Sequence, residues 1–176
     1  MSSNEQETPI EQKRHAQYYH EITRIRKLAA DEAKKAAKLF AKSEGLKAKA
    51  QKFTKKAVEH REKIENVKIR INEFKEKIEK TRAKLSVTEA GSGKEGIKVT
   101  ISKYEYKISK LRSKIEVLEM KAAKSTDRSA QLKEKSAVLL EESQRHREES
   151  DGLSKRADRL EQVDVDVRQV QESVEE

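Results

Sequence analysis

Residues 64–85, IENVKIRINEFKEKIEKTRAKL, decide the fold of this 176-residue chain. Seven residues of this stretch follow one another in alternating steps of three and four, and all but Thr81 are apolar. They are Ile64, Val67, Ile71, Phe74, Ile78, Thr81 and Leu85. This is the heptad spacing of a coiled coil, in which one narrow apolar stripe of a helix packs against another helix. Charged residues dominate the other faces, so the stretch predicts a solvated helix with a single partner-facing seam.

The same register runs backward from this stretch without interruption. Its earlier seam positions are Ile22, Ile25, Ala29, Glu32, Ala36, Leu39, Ser43, Leu46, Ala50, Phe53, Ala57 and His60. A 3.5-residue period held over nine heptads is specific to coiled coils, because chance amphipathicity seldom lasts so long. The first half of the chain is therefore predicted to be one long helix.

A second heptad run follows a glycine-rich segment. Its seam positions are Ile101, Tyr104, Ile108, Leu111, Ile115, Leu118, Ala122, Ser125, Ser129, Leu132, Ser136, Leu139, Ser143, His146, Ser150, Leu153, Ala157 and Leu160, and the spacing continues through Asp164, Val167, Gln171 and Val174. Two seams joined by a reversal of the chain predict an all-α fold, a long antiparallel two-helix coiled-coil hairpin with a Gly-rich tip loop. Small residues recur every seven positions in the first run toward the N-terminus and in the second run toward the C-terminus. This spacing predicts that the two helices approach each other more closely there.

Five segments follow from these patterns. They are a flexible acidic N-terminal tail at 1–8, a basic helix 1 at 9–85, a Gly-rich tip loop at 86–102, helix 2 at 103–160, and an acidic C-terminal extension at 161–176 that is frayed or helical. Thr8 and Glu11 form a capping box, with Pro9 at the first helical position. Ile97 and Val99 alternate with polar residues, so a plain loop and a short β-hairpin both fit the tip. Gly45 and Gly152 lie inside the two runs without shifting the register, so both are interpreted as tolerated within the helices, and of the two Gly152 is the better candidate for a break.

Composition excludes several classes of protein. Charged residues make up 41% of the chain, aromatic residues 4%, and cysteine is absent, so neither a thick globular core nor a thiolate site is expected. No apolar run approaches about 20 residues, which argues against a membrane partner and favours a cytoplasmic protein. Gly91–Lys94 lacks the spacing and the Ser or Thr of a phosphate-binding loop. No catalytic residue, cofactor or small-molecule substrate is predicted.

The four histidines were also considered as metal ligands. His15, His20, His60 and His146 lie too far apart along the predicted helices to share a site. His60 and His146 occupy seam positions, where a polar layer fixes the pairing of two helices. We therefore predict structural polar layers and no metal site.

Basic residues follow the heptad as strictly as the apolar ones do. Seam positions recur every seven residues after Ala29, from Ala36 to Leu85, and each of them is preceded by a basic residue. These eight basic residues run from Lys35 to Lys84. Antiparallel pairing brings the later members beside basic residues of helix 2. The predicted pairs are Lys77 with Lys107, Arg70 with Lys114, Lys63 with Lys121, Lys56 with Arg128 and Lys49 with Lys135. The predicted nucleic-acid-binding residues on this shared edge are Lys49, Lys56, Lys63, Arg70, Lys77, Lys84, Lys107, Lys114, Lys121 and Arg128.

This edge has two interpretations. Regularly spaced Lys and Arg without base-reading groups are typical of phosphate binding, so RNA or a ribosome is the favoured partner. Alternatively the edge is a solvated helix face, on which Glu59 and Glu73 screen Lys63 and Lys77 within helix 1.

A resemblance to a known family supports the first interpretation. Residues 70–78, RINEFKEKI, followed by Thr81, Leu85, Ser86 and Glu89, resemble the helix-turn region of an archaeal coiled-coil family related to fungal nuclear-segregation proteins of ribonucleoprotein complexes. The resemblance implies association with RNA or ribosomes.

The hypothesis from a different class is a structural adaptor or oligomeric scaffold that recruits a protein partner, or a second copy, through the seam and an apolar patch. That patch consists of Ala33, Ala37, Phe40, Ala41, Ala137 and Leu140.

Overall fold

Two long helices make up the fold. The structure is a computed structural model that describes residues 9–87 and 92–174, with side chains described for 13–87 and 93–166. Helix α1 spans Pro9–Val87 and helix α2 spans Ser92–Val174. The two helices pack against each other, and their paired positions run in opposite directions along the chain. The predicted all-α antiparallel hairpin is confirmed.

The predicted seam is the buried face of both helices. All nineteen seam positions from Ile22 to Leu85 are buried or half-buried, and so are all eighteen from Ile101 to Leu160. Between these positions in α1, every residue is exposed, and the same holds in α2. Asp164 continues the half-buried face, whereas the side chains of 167–174 lie outside the described residues. One apolar stripe per helix therefore carries the packing.

Contacts divide the chain into two units, each built from both helices. The central unit is Leu46–Glu134, and the terminal unit combines Met1–Gly45 with Lys135–Glu176. The core of the central unit is aliphatic and consists of Ile64, Val67, Ile71, Ile78, Ile101, Ile108 and Leu118, with Phe74, Ile97, Tyr104, Leu111 and Ile115 packed against it. The smaller core of the terminal unit consists of Ile22, Ile25 and Ala157, with Leu153 and Leu160. Hydrophobic stabilisation is thus concentrated in the central unit.

Small seam residues bring the two backbones close together. In the terminal unit, the Ser143 hydroxyl donates to the Ala36 carbonyl oxygen at 2.8 Å, and Ser150 donates to Ala29 at the same distance. Each hydroxyl reaches the backbone of the opposite helix, which larger seam residues would keep out of range. These buried serines therefore satisfy their hydrogen-bonding groups across the seam, and the predicted close approach is confirmed.

The central unit contains the same kind of layer at Ala50. Ser129 donates to the Ala50 carbonyl oxygen at 3.0 Å, and Thr54 lies 2.8 Å from the Ser129 hydroxyl. Ala50 is 0% exposed. Ala50 contributes only a methyl group to this layer, which the Ser129 side chain shares.

Ala50→Leu is therefore expected to lower the free energy of unfolding by about 1–3 kcal/mol, because the added atoms must push the helices apart. Urea denaturation followed by circular dichroism measures the change. Ala48→Leu adds the same atoms at an exposed position of the same helix and is the matched control. Equal stability of the two variants would contradict close packing at this layer.

The predicted tip loop is too long. Residues 92–102 belong to α2, and residues 86 and 87 belong to α1. Ile97, Ile101 and Tyr104 are spaced by four and three residues, so a helix places all three toward α1, while Val99 is 53% exposed. The heptad spacing prevails over the alternation that suggested a β-hairpin. Residues 88–91 lie outside the described residues.

Helix α2 is also longer at its other end. It continues through Gly152 to Val174, so this glycine is tolerated within the helix, and residues 161–174 are helical. A glycine inside a helix costs about 1 kcal/mol relative to alanine, which the seam on either side of Gly152 offsets. The predicted tail at 1–8, including the Thr8 cap, lies outside the described residues, but α1 does begin at Pro9. Within the described helices, no segment is long and apolar enough to cross a membrane.

Candidate functional site

The ten basic residues predicted to form one edge all belong to the central unit. This basic ridge is Lys49, Lys56, Lys63, Arg70, Lys77 and Lys84 on α1, with Lys107, Lys114, Lys121 and Arg128 on α2. All ten side chains are exposed. Seven residues of helix advance by about 10.5 Å, so each helix presents a cation at that interval.

Charge is distributed unequally between the two units. The central unit contains 25 Lys and Arg against 13 Asp and Glu, a net charge of +12. The terminal unit contains 16 against 19, a net charge of −3. The whole positive excess of the protein therefore lies in the unit that carries the basic ridge.

Two pairs of like-charged residues in the basic ridge each share one aromatic ring, Phe74 for the first pair and Phe53 for the second. Lys77 of α1 and Lys107 of α2 each place their ammonium nitrogen 5.4 Å from the centre of the Phe74 ring. Cations attract the face of an aromatic ring, which offsets part of the repulsion between them. The predicted neighbours Lys77 and Lys107 are thus brought together, with Phe74 packed in the seam beneath them.

The second pair repeats this arrangement three heptads away. Lys56 and Arg128 each lie 5.6 Å from the centre of the Phe53 ring. Phe53 and Phe74 occupy equivalent seam positions, twenty-one residues apart. The antiparallel register predicted both cation pairs but not the aromatic ring that each pair shares. The signal for the rings was the fixed spacing from Phe53 to Lys56 and from Phe74 to Lys77.

Most of the basic ridge lacks acidic partners. In the described part of the chain, no carboxylate oxygen lies within 4.0 Å of the charged nitrogens of Lys49, Lys56, Lys63, Arg70, Lys77, Lys107, Lys114, Lys121 or Arg128. Glu59 and Glu73, which the alternative interpretation assigned to screening, form no ion pair with Lys63 or Lys77 at that distance. Within the described residues, the charges of these nine cations are therefore not neutralised by direct pairing.

The opposite flank of the central unit is arranged differently. Arg82 of α1 lies 3.4 Å from a Glu105 oxygen of α2, and Lys68 donates to Glu65 at 2.8 Å. That hydrogen bond raises the pKa of Lys68, and the charge of Glu119 acts in the same direction. One flank of the unit thus neutralises itself while the other remains cationic.

Polar layers interrupt the seam of the terminal unit. The His15 ring nitrogen Nδ1 lies 2.7 Å from Asp164, and His146 Nδ1 lies 2.5 Å from Glu32, each pair linking α1 to α2. His146 therefore occupies a polar layer, as predicted. In the central unit, half-buried His60 has a ring nitrogen Nδ1 that is buried without a hydrogen-bond partner.

The structure also brings one of the histidines together with carboxylates that the sequence prediction did not pair with it. Glu32, His146 and Glu149 offer ligand atoms that all lie within 4.8 Å of one another. The spacing of the histidines along the sequence argued against a shared site. Such spacing does not show which carboxylates of the opposite helix lie beside a histidine. The signal was available, because Glu32 and His146 both occupy seam positions.

Comparisons with other proteins leave the function to be argued from the chain itself. No protein-family model matches the sequence, and neither the curated proteins nor the solved structures gave a match. The resemblance of residues 70–89 to the archaeal coiled-coil family stays a prediction. The basic ridge is the feature with the clearest chemical specificity.

Proposed function

We propose that this chain is a non-enzymatic coiled-coil protein of the cytoplasm that binds RNA, including the RNA of ribosomes, through the basic ridge. One observation supports the proposal above the others: cations of both helices are gathered on one exposed edge, and within the described residues nine of the ten, all but Lys84, have no carboxylate oxygen within 4.0 Å. The proposal includes all ten predicted binding residues.

The energetics of the ridge favour an anionic partner. Like charges at neighbouring positions destabilise a helix pair by a few tenths of a kcal/mol each. Phosphate groups placed against the ridge convert these repulsions into attractions and release the counterions condensed on the nucleic acid. The gain grows with every phosphate contacted, so a row of cations suits a polymer better than a small anion.

The chemistry of the ridge also determines how RNA is recognised. Its side chains are ammonium and guanidinium groups on exposed helix faces, and the rings of Phe53 and Phe74 lie in the seam. Such groups bind phosphates and do not read base edges. Binding is therefore expected to depend weakly on base sequence.

Salt titration of RNA binding tests this function. A protein that contacts 6–10 phosphates loses about 10³–10⁵ in affinity between 50 and 200 mM salt. We expect a loss in this range for two RNAs of equal length and different sequence, measured by fluorescence anisotropy. Affinity that does not change with salt, or that differs strongly between the RNAs, would contradict phosphate recognition.

Sedimentation of native extract locates the physiological partner. If the chain binds ribosomes, it will migrate with them and shift to the light fractions after nuclease treatment. Migration that nuclease does not alter would instead indicate a protein partner.

The terminal unit supports a second candidate function. Phe40 is 42% exposed and Leu140 is 47% exposed, and both belong to the predicted apolar patch. The seam is already filled by α1 and α2, so an adaptor would recruit its protein partner through the patch. A Phe40→Ser, Leu140→Ser variant separates the two functions, because it should lose such a partner and retain RNA.

A further inference from the structure

The three-residue cluster of the terminal unit has the composition of a metal site. Glu32 comes from α1, whereas His146 and Glu149 are three residues apart on α2 and therefore lie on one face of that helix. Their ligand atoms converge to within 4.8 Å. An imidazole nitrogen and two carboxylates are a donor set that Zn²⁺ accepts, with a fourth position left for water.

The surroundings hold these donors in place. The Glu32–His146 layer lies between two layers in which Ser143 and Ser150 bond to the backbone of α1. Because these hydrogen bonds fix the spacing of the two helices, only side-chain rotations are needed to close the donors around an ion. The Glu32 side chain is 13% exposed and that of His146 is 33% exposed, whereas Glu149 is exposed, so the position opens to solvent on the side of Glu149.

A cation already occupies part of this position. The Lys35 ammonium donates to Glu32 Oε1 at 2.5 Å, and its side chain is 58% exposed. The hydrogen bond from Lys35 is the main cause that lowers the pKa of Glu32, so the carboxylate is ionised at neutral pH. Lys35 can turn into solvent and leave that oxygen to a metal.

We infer that Glu32, His146 and Glu149 bind one divalent ion of the Zn²⁺ class, which joins α1 to α2. The ion displaces the Lys35 ammonium and replaces the hydrogen bond between His146 Nδ1 and Glu32, whose proton is released to solvent. Zn²⁺ and Co²⁺ suit mixed imidazole and carboxylate donors, whereas Mg²⁺ and Ca²⁺ prefer oxygen donors alone. The ion would stabilise the terminal unit by binding the folded state only. The site is independent of the basic ridge.

Calorimetric titration of the full chain with Zn²⁺ at neutral pH tests the inference. We expect one ion per chain. Glu149→Gln should weaken binding by at least about tenfold, since even indirect ligand partners change affinity by about 10–100-fold. Lys35→Gln should tighten binding, because the competing ammonium is gone. Mg²⁺ should give no saturable binding.

Glu148→Gln is the matched control. It removes the same charge from the adjacent residue, which accepts a hydrogen bond from Gln144 and does not belong to the cluster. This variant should bind Zn²⁺ as the wild type does. The inference is overturned if wild-type binding is not saturable at one ion per chain, if Glu148→Gln and Glu149→Gln weaken it equally, or if Lys35→Gln leaves the affinity unchanged.

Discussion

Reversing Lys63, Arg70, Lys77 and Lys114 to glutamate is expected to abolish RNA binding. The substitutions remove four phosphate contacts and place four repulsive charges on the same edge. Each lost contact should reduce the slope of log affinity against log salt concentration by about one, and the repulsion lowers the affinity further. We expect affinity at 50 mM salt to fall by at least about 10³, measured by fluorescence anisotropy, with helix content by circular dichroism unchanged.

A control variant separates the ridge from net charge. Lys27, Lys38, Lys155 and Arg159 are exposed residues of the terminal unit, and their reversal to glutamate changes the net charge of the protein by the same amount. This variant should retain most of the affinity of the wild type. If both variants lose binding equally, the RNA responds to total charge and not to the basic ridge. If the ridge variant binds as the wild type does, the proposed function is wrong.

The heptad register was predictable because burial in this fold depends on one periodic signal. Every seam position named from the sequence is buried or half-buried where the structure describes its side chain, even polar residues such as Ser43 and Glu32. The tip was predicted less well. Glycines and the alternation of Ile97 with Val99 are local signals, and the packing of Ile97 and Ile101 on α1 outweighs them.

The candidate site was predictable in its members but not in its contacts. The ridge cations could be named because they keep the heptad, and antiparallel pairing placed Lys77 near Lys107. The rings beneath them and the meeting of Glu32 with Glu149 depend on which residues face each other across the helices. The heptad register predicts which positions face each other, but it does not predict the side-chain rotamers that place the Phe74 ring beneath both cations or bring Glu149 toward Glu32.

Ile71→Ala is expected to lower the free energy of unfolding strongly, because it truncates a buried residue of the seam. Ile71 is 7% exposed and belongs to the aliphatic core of the central unit, together with Ile78 and Ile108. Truncation removes buried methyl and methylene groups and leaves a cavity between the helices, which costs about 2–5 kcal/mol. Urea denaturation followed by circular dichroism should show a lower transition midpoint. The loss weakens the unit that carries the basic ridge.

Ile69 provides the matched control, two residues away on the same helix. It is 57% exposed, so Ile69→Ala makes the same chemical change with little loss of packing. Its stability should stay within about 0.5 kcal/mol of the wild type, because alanine also has the better helix propensity. A helix that packs through a single stripe requires this contrast between the two isoleucines. Similar losses at both positions would mean that Ile69 is also covered, as in a bundle of more than two helices.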